Sequence, residues 1–125
     1  MKPVYIEIDE DGDKLYFSDK AMRILHREDG PAIESVDGSK FWYVKGQYHR
    51  EDGPACEYAN GTKYWYVSGL LHREDGPAKE FAKGYKEWWI NGMWLSEEEF
   101  NKRMKSSCEG KVVEIEGKKY KLTAI

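Results

Sequence analysis

The heptapeptide His-Arg-Glu-Asp-Gly-Pro-Ala occurs three times without change, at 26–32, 49–55 and 72–78, always 23 residues apart. A fixed period with no insertion restricts the chain to an architecture of stacked units, each needing its neighbour to bury its apolar side. Beyond the heptapeptide, each unit continues with Glu, Gly, Lys, Trp and a second Gly at constant offsets. Nine of the 12 glycines and three of the four prolines fall inside the three units.

Glycine at fixed offsets between alternating aromatic segments marks turns between strands. A three-residue loop Val36-Asp37-Gly38 places Gly38 in the left-handed position of a hairpin, and Gly61 and Gly84 follow suit. That register sets Glu34 opposite Lys40, Glu57 opposite Lys63 and Glu80 opposite Lys86. It also sets Ala32 opposite Trp42, Ala55 opposite Trp65 and Ala78 opposite Trp88. Opposite charges facing across a hairpin are favourable in each unit. Second turns lie at Lys45-Gly46, Ser68-Gly69 and Asn91-Gly92. Each unit thus reads as two antiparallel strands, and the units continue as a meander.

The ends depart from the pattern. Residues 4–18 read as a hairpin around Asp11-Gly12, a degenerate half-unit with Tyr16 where Trp would stand. Leu95 takes the place of a fourth His. Ser96 to Glu99 is a capping box, with Leu95 and Phe100 as its hydrophobic staple. A helix over 97–106 should end the array, with Phe100 and Met104 on its buried side. After a linker at 106–110, Val112–Leu122 reads as a hairpin turning at Glu116-Gly117, able to cap a sheet edge. The expected organisation is a single domain, 1–125: an N-terminal capping hairpin (1–25), three repeats (26–94), a helix (95–108) and a C-terminal hairpin (109–125). The fold class is mainly β, a meandering antiparallel sheet.

Composition agrees. The chain has 5 Trp, 9 Tyr and 4 Phe, so its core rests on rings rather than Leu, which favours strands. The net charge is only −3, which argues against charge-driven disorder. No apolar run is long enough for a transmembrane helix. The first residues lack the apolar stretch of a signal peptide. Cys56 and Cys108 lack metal-ligand spacing and are too few for a disulfide framework. These features read as a reduced, cytoplasmic protein.

The His-Arg-Glu-Asp run holds a base, a cation and two carboxylates. A hydrolase using that His/Glu/Asp cluster is the third-ranked reading, because catalysis needs one distinguished constellation and here three copies are equal. Turn and ladder chemistry is preferred for His26, Arg27, His49, Arg50, His72 and Arg73, with a polar ligand ladder as the rival. A metal is not expected: histidines two strands apart are about 10 Å from each other, too far to share one ion. The acidic loop Asp9–Asp13 resembles half of a calcium loop but lacks its Gly and Glu positions, so a plain turn is expected. No cofactor is expected. Residues 101–125 carry seven basic and three acidic groups. That tail suggests head-to-tail self-association more than nucleic-acid binding, and neither nucleic acid nor membrane is an expected partner.

The face opposite the repeated residues varies between units yet stays aromatic. Phe41, Tyr43, Tyr58, Tyr64, Tyr66, Phe81 and Trp89 lie on it and are the expected partner-binding surface.

The unit resembles the MORN family of β-hairpin repeats, through Tyr64-Trp65-Tyr66-Val67-Ser68-Gly69 and the later Gly76 and Gly84. The heptapeptide itself is closer to the His-Arg-Glu-Asp-Gly-Pro-Ala repeat proteins of tailed bacteriophages, a likeness covering residues 5–94. That resemblance implies an accessory phage protein acting in the host cytoplasm and carries no catalytic residue. The expected function is therefore a non-enzymatic binding protein that inhibits a host defence or takeover protein. The alternative is capture of a small nucleotide signal by Arg, His and aromatic groups.

Overall fold

The computed structural model describes residues 4–108, 112–115 and 118–121, with side chains through residue 104. The chain is mainly β, in antiparallel ladders, with one short helix among the described residues. Two kinds of turn enforce this. Lys45, Ser68 and Asn91 have φ of 52°, 49° and 48°, followed by glycines at 79°, 81° and 79°. Two consecutive positive φ values make a type I′ turn, whose twist matches the strands it joins. The other turn is the expected three-residue loop: Gly38 has φ 96°, its N–H donates to Ser35 O, and Ser35 N–H donates to Ser39 O.

Strands β1 (Tyr5–Ile8) and β2 (Lys14–Phe17) form the N-terminal hairpin. The strands flanking the three loops are β3 (Ile33–Glu34) and β4 (Lys40–Phe41), β7 (Cys56–Glu57) and β8 (Lys63–Tyr64), β11 (Lys79–Glu80) and β12 (Lys86–Ile90). Glu34 faces Lys40, Glu57 faces Lys63 and Glu80 faces Lys86, as the sequence predicts. Consecutive units join by the same kind of pair, with Lys40 opposite Glu57 and Lys63 opposite Glu80. Carboxylates and ammonium groups thus alternate across neighbouring strands. With β13 (Met93–Leu95) these strands make a nine-stranded sheet in the order β1-β2-β3-β4-β7-β8-β11-β12-β13.

The expected pairing of alanine with tryptophan does not form: in each unit the ladder stops one pair short of it, at Ile33–Phe41, Cys56–Tyr64 and Lys79–Glu87. Ala32 N–H donates to Phe41 O at 2.8 Å, while Trp42 N–H donates to Ala55 O of the following unit at 2.7 Å. Trp65 N–H likewise donates to Ala78 O at 2.7 Å. At each of these tryptophans the chain leaves the sheet. The residues after it form separate short ladders, β5 (Tyr43–Val44) with β6 (Gln47–Tyr48) and β9 (Tyr66–Val67) with β10 (Leu70–Leu71). The simple meander is therefore a bent one. In the third unit, where no further heptapeptide follows, β12 runs straight through Trp88, which pairs with Leu95 of β13. Tyr16 N–H makes the same bond to Ala32 O at 2.8 Å without a bend, since β2 continues through it beside β1. Ala32, Ala55 and Ala78 are completely buried, leaving no room there for a larger side chain.

Helix α1 spans Glu97–Cys108, two residues beyond the expected end. Ser96 Oγ accepts the Glu99 N–H at 3.1 Å, the expected cap. Leu95 and Phe100 are buried, and Met104 is half-buried. The backbone hairpin of β14 (Val112–Ile115) and β15 (Lys118–Lys121) has the expected register, Val113 opposite Tyr120 and Glu114 opposite Lys119. Of the linker expected at 106–110, residues 106–108 belong to α1 instead; residues 109–110, the Glu116-Gly117 turn and the sidedness of the hairpin's side chains lie outside the described residues. Among the described residues, no helix is long and apolar enough to cross a membrane.

Candidate functional site

Each His-Arg-Glu-Asp run lies where one unit meets the next. His26 N–H donates to Tyr16 O and Arg27 N–H to Tyr43 O, with equivalent bonds at 49–50 and 72–73. The imidazoles read the type I′ turns. His26 Nδ1 accepts the Lys45 N–H at 2.9 Å, His49 Nδ1 the Ser68 N–H at 2.9 Å, and His72 Nδ1 the Asn91 N–H at 3.0 Å. With Nδ1 accepting, the ring proton of the neutral imidazole resides on Nε2. That nitrogen faces Glu28, Glu51 or Glu74 at 3.4, 3.5 and 3.7 Å. The acceptor nitrogen of each imidazole is thus taken by a backbone N–H.

The arginines are equally occupied. Arg27 donates from Nε to Asp29 at 3.0 Å, and from a terminal nitrogen to Pro31 O at 3.2 Å and Glu34 at 2.7 Å. Arg50 and Arg73 make the same three bonds to Asp52, Pro54 and Glu57, and to Asp75, Pro77 and Glu80. Each guanidinium also lies over a ring of the preceding unit, at 4.0 Å from Tyr16, 3.8 Å from Trp42 and 3.9 Å from Trp65. Its other side rests on glycine. A Cβ on Gly30, Gly53 or Gly76 would come within 3.0 Å of the guanidinium carbon, so the Asp-Gly-Pro turn needs glycine for contact rather than for an unusual φ. At the end of the array Phe100 takes this place, its ring 6.5 Å from that of Trp88.

These contacts set the local charge states. Burial pushes the Glu34 carboxyl up, but the Tyr16 hydroxyl and Arg27 outweigh it and hold it below the usual range. The bond from Arg73 holds Asp75 down as well. The fixed cations are neutralised where they stand.

What remains on the outside is acidic. The side chains of Glu28, Asp29, Glu51, Asp52, Glu74 and Asp75 are 75–86% exposed. Between successive runs lie two open grooves of about 760 and 730 Å³. Trp42 and Val44 floor the first, Trp65 and Val67 the second, and carboxylates of consecutive runs wall both.

The aromatic face takes a different form from a free surface. Phe41, Tyr43, Tyr58, Tyr64, Tyr66, Phe81 and Trp89 are all half-buried. Phe41, Tyr58, Tyr64 and Phe81 follow one another edge to face, with centroids 5.3–5.7 Å apart. Tyr43 and Tyr66 flank Tyr48 at 4.4 and 4.9 Å. The indole N–H of Trp89 donates to Glu87 at 3.0 Å. Beneath this layer Cys56 is buried, its thiol pushed up to about 12 by burial. Burial raises the Tyr58 phenol to about 12 and, with a hydrogen bond to Tyr43, the Tyr48 phenol further still. The rings are mutual packing partners, contacts suited to a core layer. Tyr48, at the centre, is not among the residues expected from sequence, although it ends its unit where Leu71 and Trp94 end theirs.

The acidic N-terminal loop brings carboxylates of Asp9, Asp11 and Asp13 within 4.8 Å of one another. Asp9 Oδ1 already accepts the N–H groups of Asp11 and Asp13, and Asp13 accepts the Val36 N–H, so these side chains build a turn. No protein family matches the chain, and no curated protein or solved structure is similar to it.

Proposed function

We propose that the chain is a non-enzymatic binding protein that holds a partner protein against the grooves between its His-Arg-Glu-Asp runs. The carrying observation is the pair of tandem grooves, with ring-and-valine floors and highly exposed carboxylate walls, on a frame whose His and Arg groups are internally satisfied. Apolar floor with charged rim is the ordinary anatomy of a protein interface. The acidic walls select a basic surface and repel phosphates, which weighs against nucleotide capture and nucleic acid. The occupied imidazoles weigh against hydrolysis. The likeness of the heptapeptide to phage repeat proteins supports a host protein as target, with inhibition of a defence or takeover function as the outcome.

The test replaces Glu28, Glu51 and Glu74 together by Gln. Among the described residues each is paired with a histidine alone, so the fold should keep its unfolding midpoint. The immobilised wild-type chain should capture a basic bacterial protein that the triple variant releases, with binding weakening as salt rises. Capture of the same protein at equal yield by both chains refutes the groove reading.

A further inference from the structure

The sheet ends on an edge that still has the form of a junction. Inside the array, β4 is bonded on one side to β3 and on the other to β7, and β8 lies likewise between β7 and β11. Each time, lysine on the receiving strand faces glutamate on the incoming one: Lys40 with Glu57, Lys63 with Glu80. The residue beside that glutamate faces an aromatic ring, Cys56 against Phe41 and Lys79 against Tyr64. Among the described residues, the Lys86–Glu87 part of β12 pairs only with β11, because the second partner of β12, β13, bonds to Trp88–Ile90.

The orientation of the free groups follows from the ladder. Phe81 N–H donates to Tyr85 O, so 81 and 85 are a bonded pair. The next pair, Glu80 with Lys86, is therefore non-bonded, and the N–H and C=O of Lys86 point away from β11. One internal device is altered. Buried Ser39 and Thr62 each accept an N–H of the incoming unit, from Ala59 at 2.9 Å and Ala82 at 3.1 Å. The third such position is Tyr85, 73% exposed.

We propose that this edge accepts an extended segment of a partner protein carrying a basic residue followed by glutamate, added as a further strand. The glutamate lies opposite Lys86 and the basic residue opposite Glu87, as Glu80 and Lys79 lie opposite Lys63 and Tyr64. Main-chain bonds supply the affinity, and the two charge matches supply the selection. The site is separate from the acidic grooves and stands independently of them.

The probe is a labelled peptide copying residues 79–84, the part of the segment on β8 that stops short of the position Trp88 shares with Leu95, added to the full chain. Amide exchange at Lys86 is followed with and without peptide, and affinity by fluorescence anisotropy. The Lys86 amide should exchange freely alone and become protected on addition. A peptide N-methylated at its glutamate should bind at least tenfold more weakly, because that amide is the one facing Lys86. Tyr85→Thr restores the missing acceptor and should tighten binding about fivefold, the worth of one hydrogen bond. Equal binding of the N-methylated peptide overturns the proposal. So does protection of Lys86 without peptide: if it depends on protein concentration, a second copy occupies the edge, and if it does not, the chain covers the edge itself. The peptide arms need no variant to fold.

Discussion

Replacing Arg50 by Ala removes the central member of the guanidinium series. Its side chain is only 22% exposed, and it holds Pro54 O at 3.1 Å, Glu57 at 3.2 Å and the Trp42 ring at 3.8 Å. The bond to Asp52 is screened, since that carboxylate is 86% exposed, and contributes little. The two remaining hydrogen bonds are worth about 1 kcal/mol each. The stacked cation adds about 1 kcal/mol more. The expected loss is about 3 kcal/mol, large against a total stability of about 5–15 kcal/mol for a chain of this kind. Arg50→Lys keeps a charge but loses the planar fork and the stack, so it should cost about half as much. Urea unfolding followed by tryptophan fluorescence measures both, and a cycle with Glu57→Gln isolates their coupling. A loss below about 0.5 kcal/mol for Arg50→Ala, or no coupling to Glu57, would refute the view that arginine clamps one unit to the next.

Other consequences concern turns and titrating groups. Ser68 sits at φ 49° without being glycine or asparagine, so Ser68→Gly should raise stability by a few tenths to about 1 kcal/mol. Gly69→Ala, at φ 81°, should lower it by about 1–2 kcal/mol in the same urea assay. In a Cys108→Ser background, the Cys56 thiol, raised to about 12 by burial, should resist a thiol reagent at pH 8 until denaturant is added; rapid native labelling contradicts its placement. Stability should also fall in alkali. Tyr48 and Tyr58 are raised in the folded chain, so the unfolded phenols ionise first; the stabilisation they provide is intact below about pH 10, and that of Tyr58 is lost as pH rises through about 12, that of Tyr48 higher still. Unfolding midpoints measured from pH 8 to 12 check this, and Tyr58→Phe should flatten the decline.

The period and glycine offsets made the hairpins legible, down to the glutamate–lysine pairs, and the Ser96–Glu99 spacing did the same for the helix cap. The bend at Trp42 and Trp65 was not, because a hairpin register counts only residues within one unit. The tryptophan amide is claimed by an alanine of the next unit, a contact between residues 13 positions apart that local pattern does not encode. The same limit governs the candidate site. A half-apolar alternating face has the same sequence signature whether its rings meet each other or a partner. In the structure Tyr48 of β6 lies against both Phe41 and Tyr66, a contact between strands that the alternation alone does not encode. The outer carboxylates were visible as charges, but the heptapeptide does not say which acid binds arginine and which faces water.

The ring of each of the first three hairpins is covered by an arginine from the following segment, and the last ring by Phe100. The chain therefore behaves like a short linear polymer with one propagating bond and two dissimilar end groups. Growth by one 23-residue segment placed before Leu95 would create one more copy of a junction already present twice and leave both end groups untouched. Its length is then a variable that duplication can change in whole steps, adding one groove per step, while the terminal edge at Lys86–Glu87 is passed on to the newest segment.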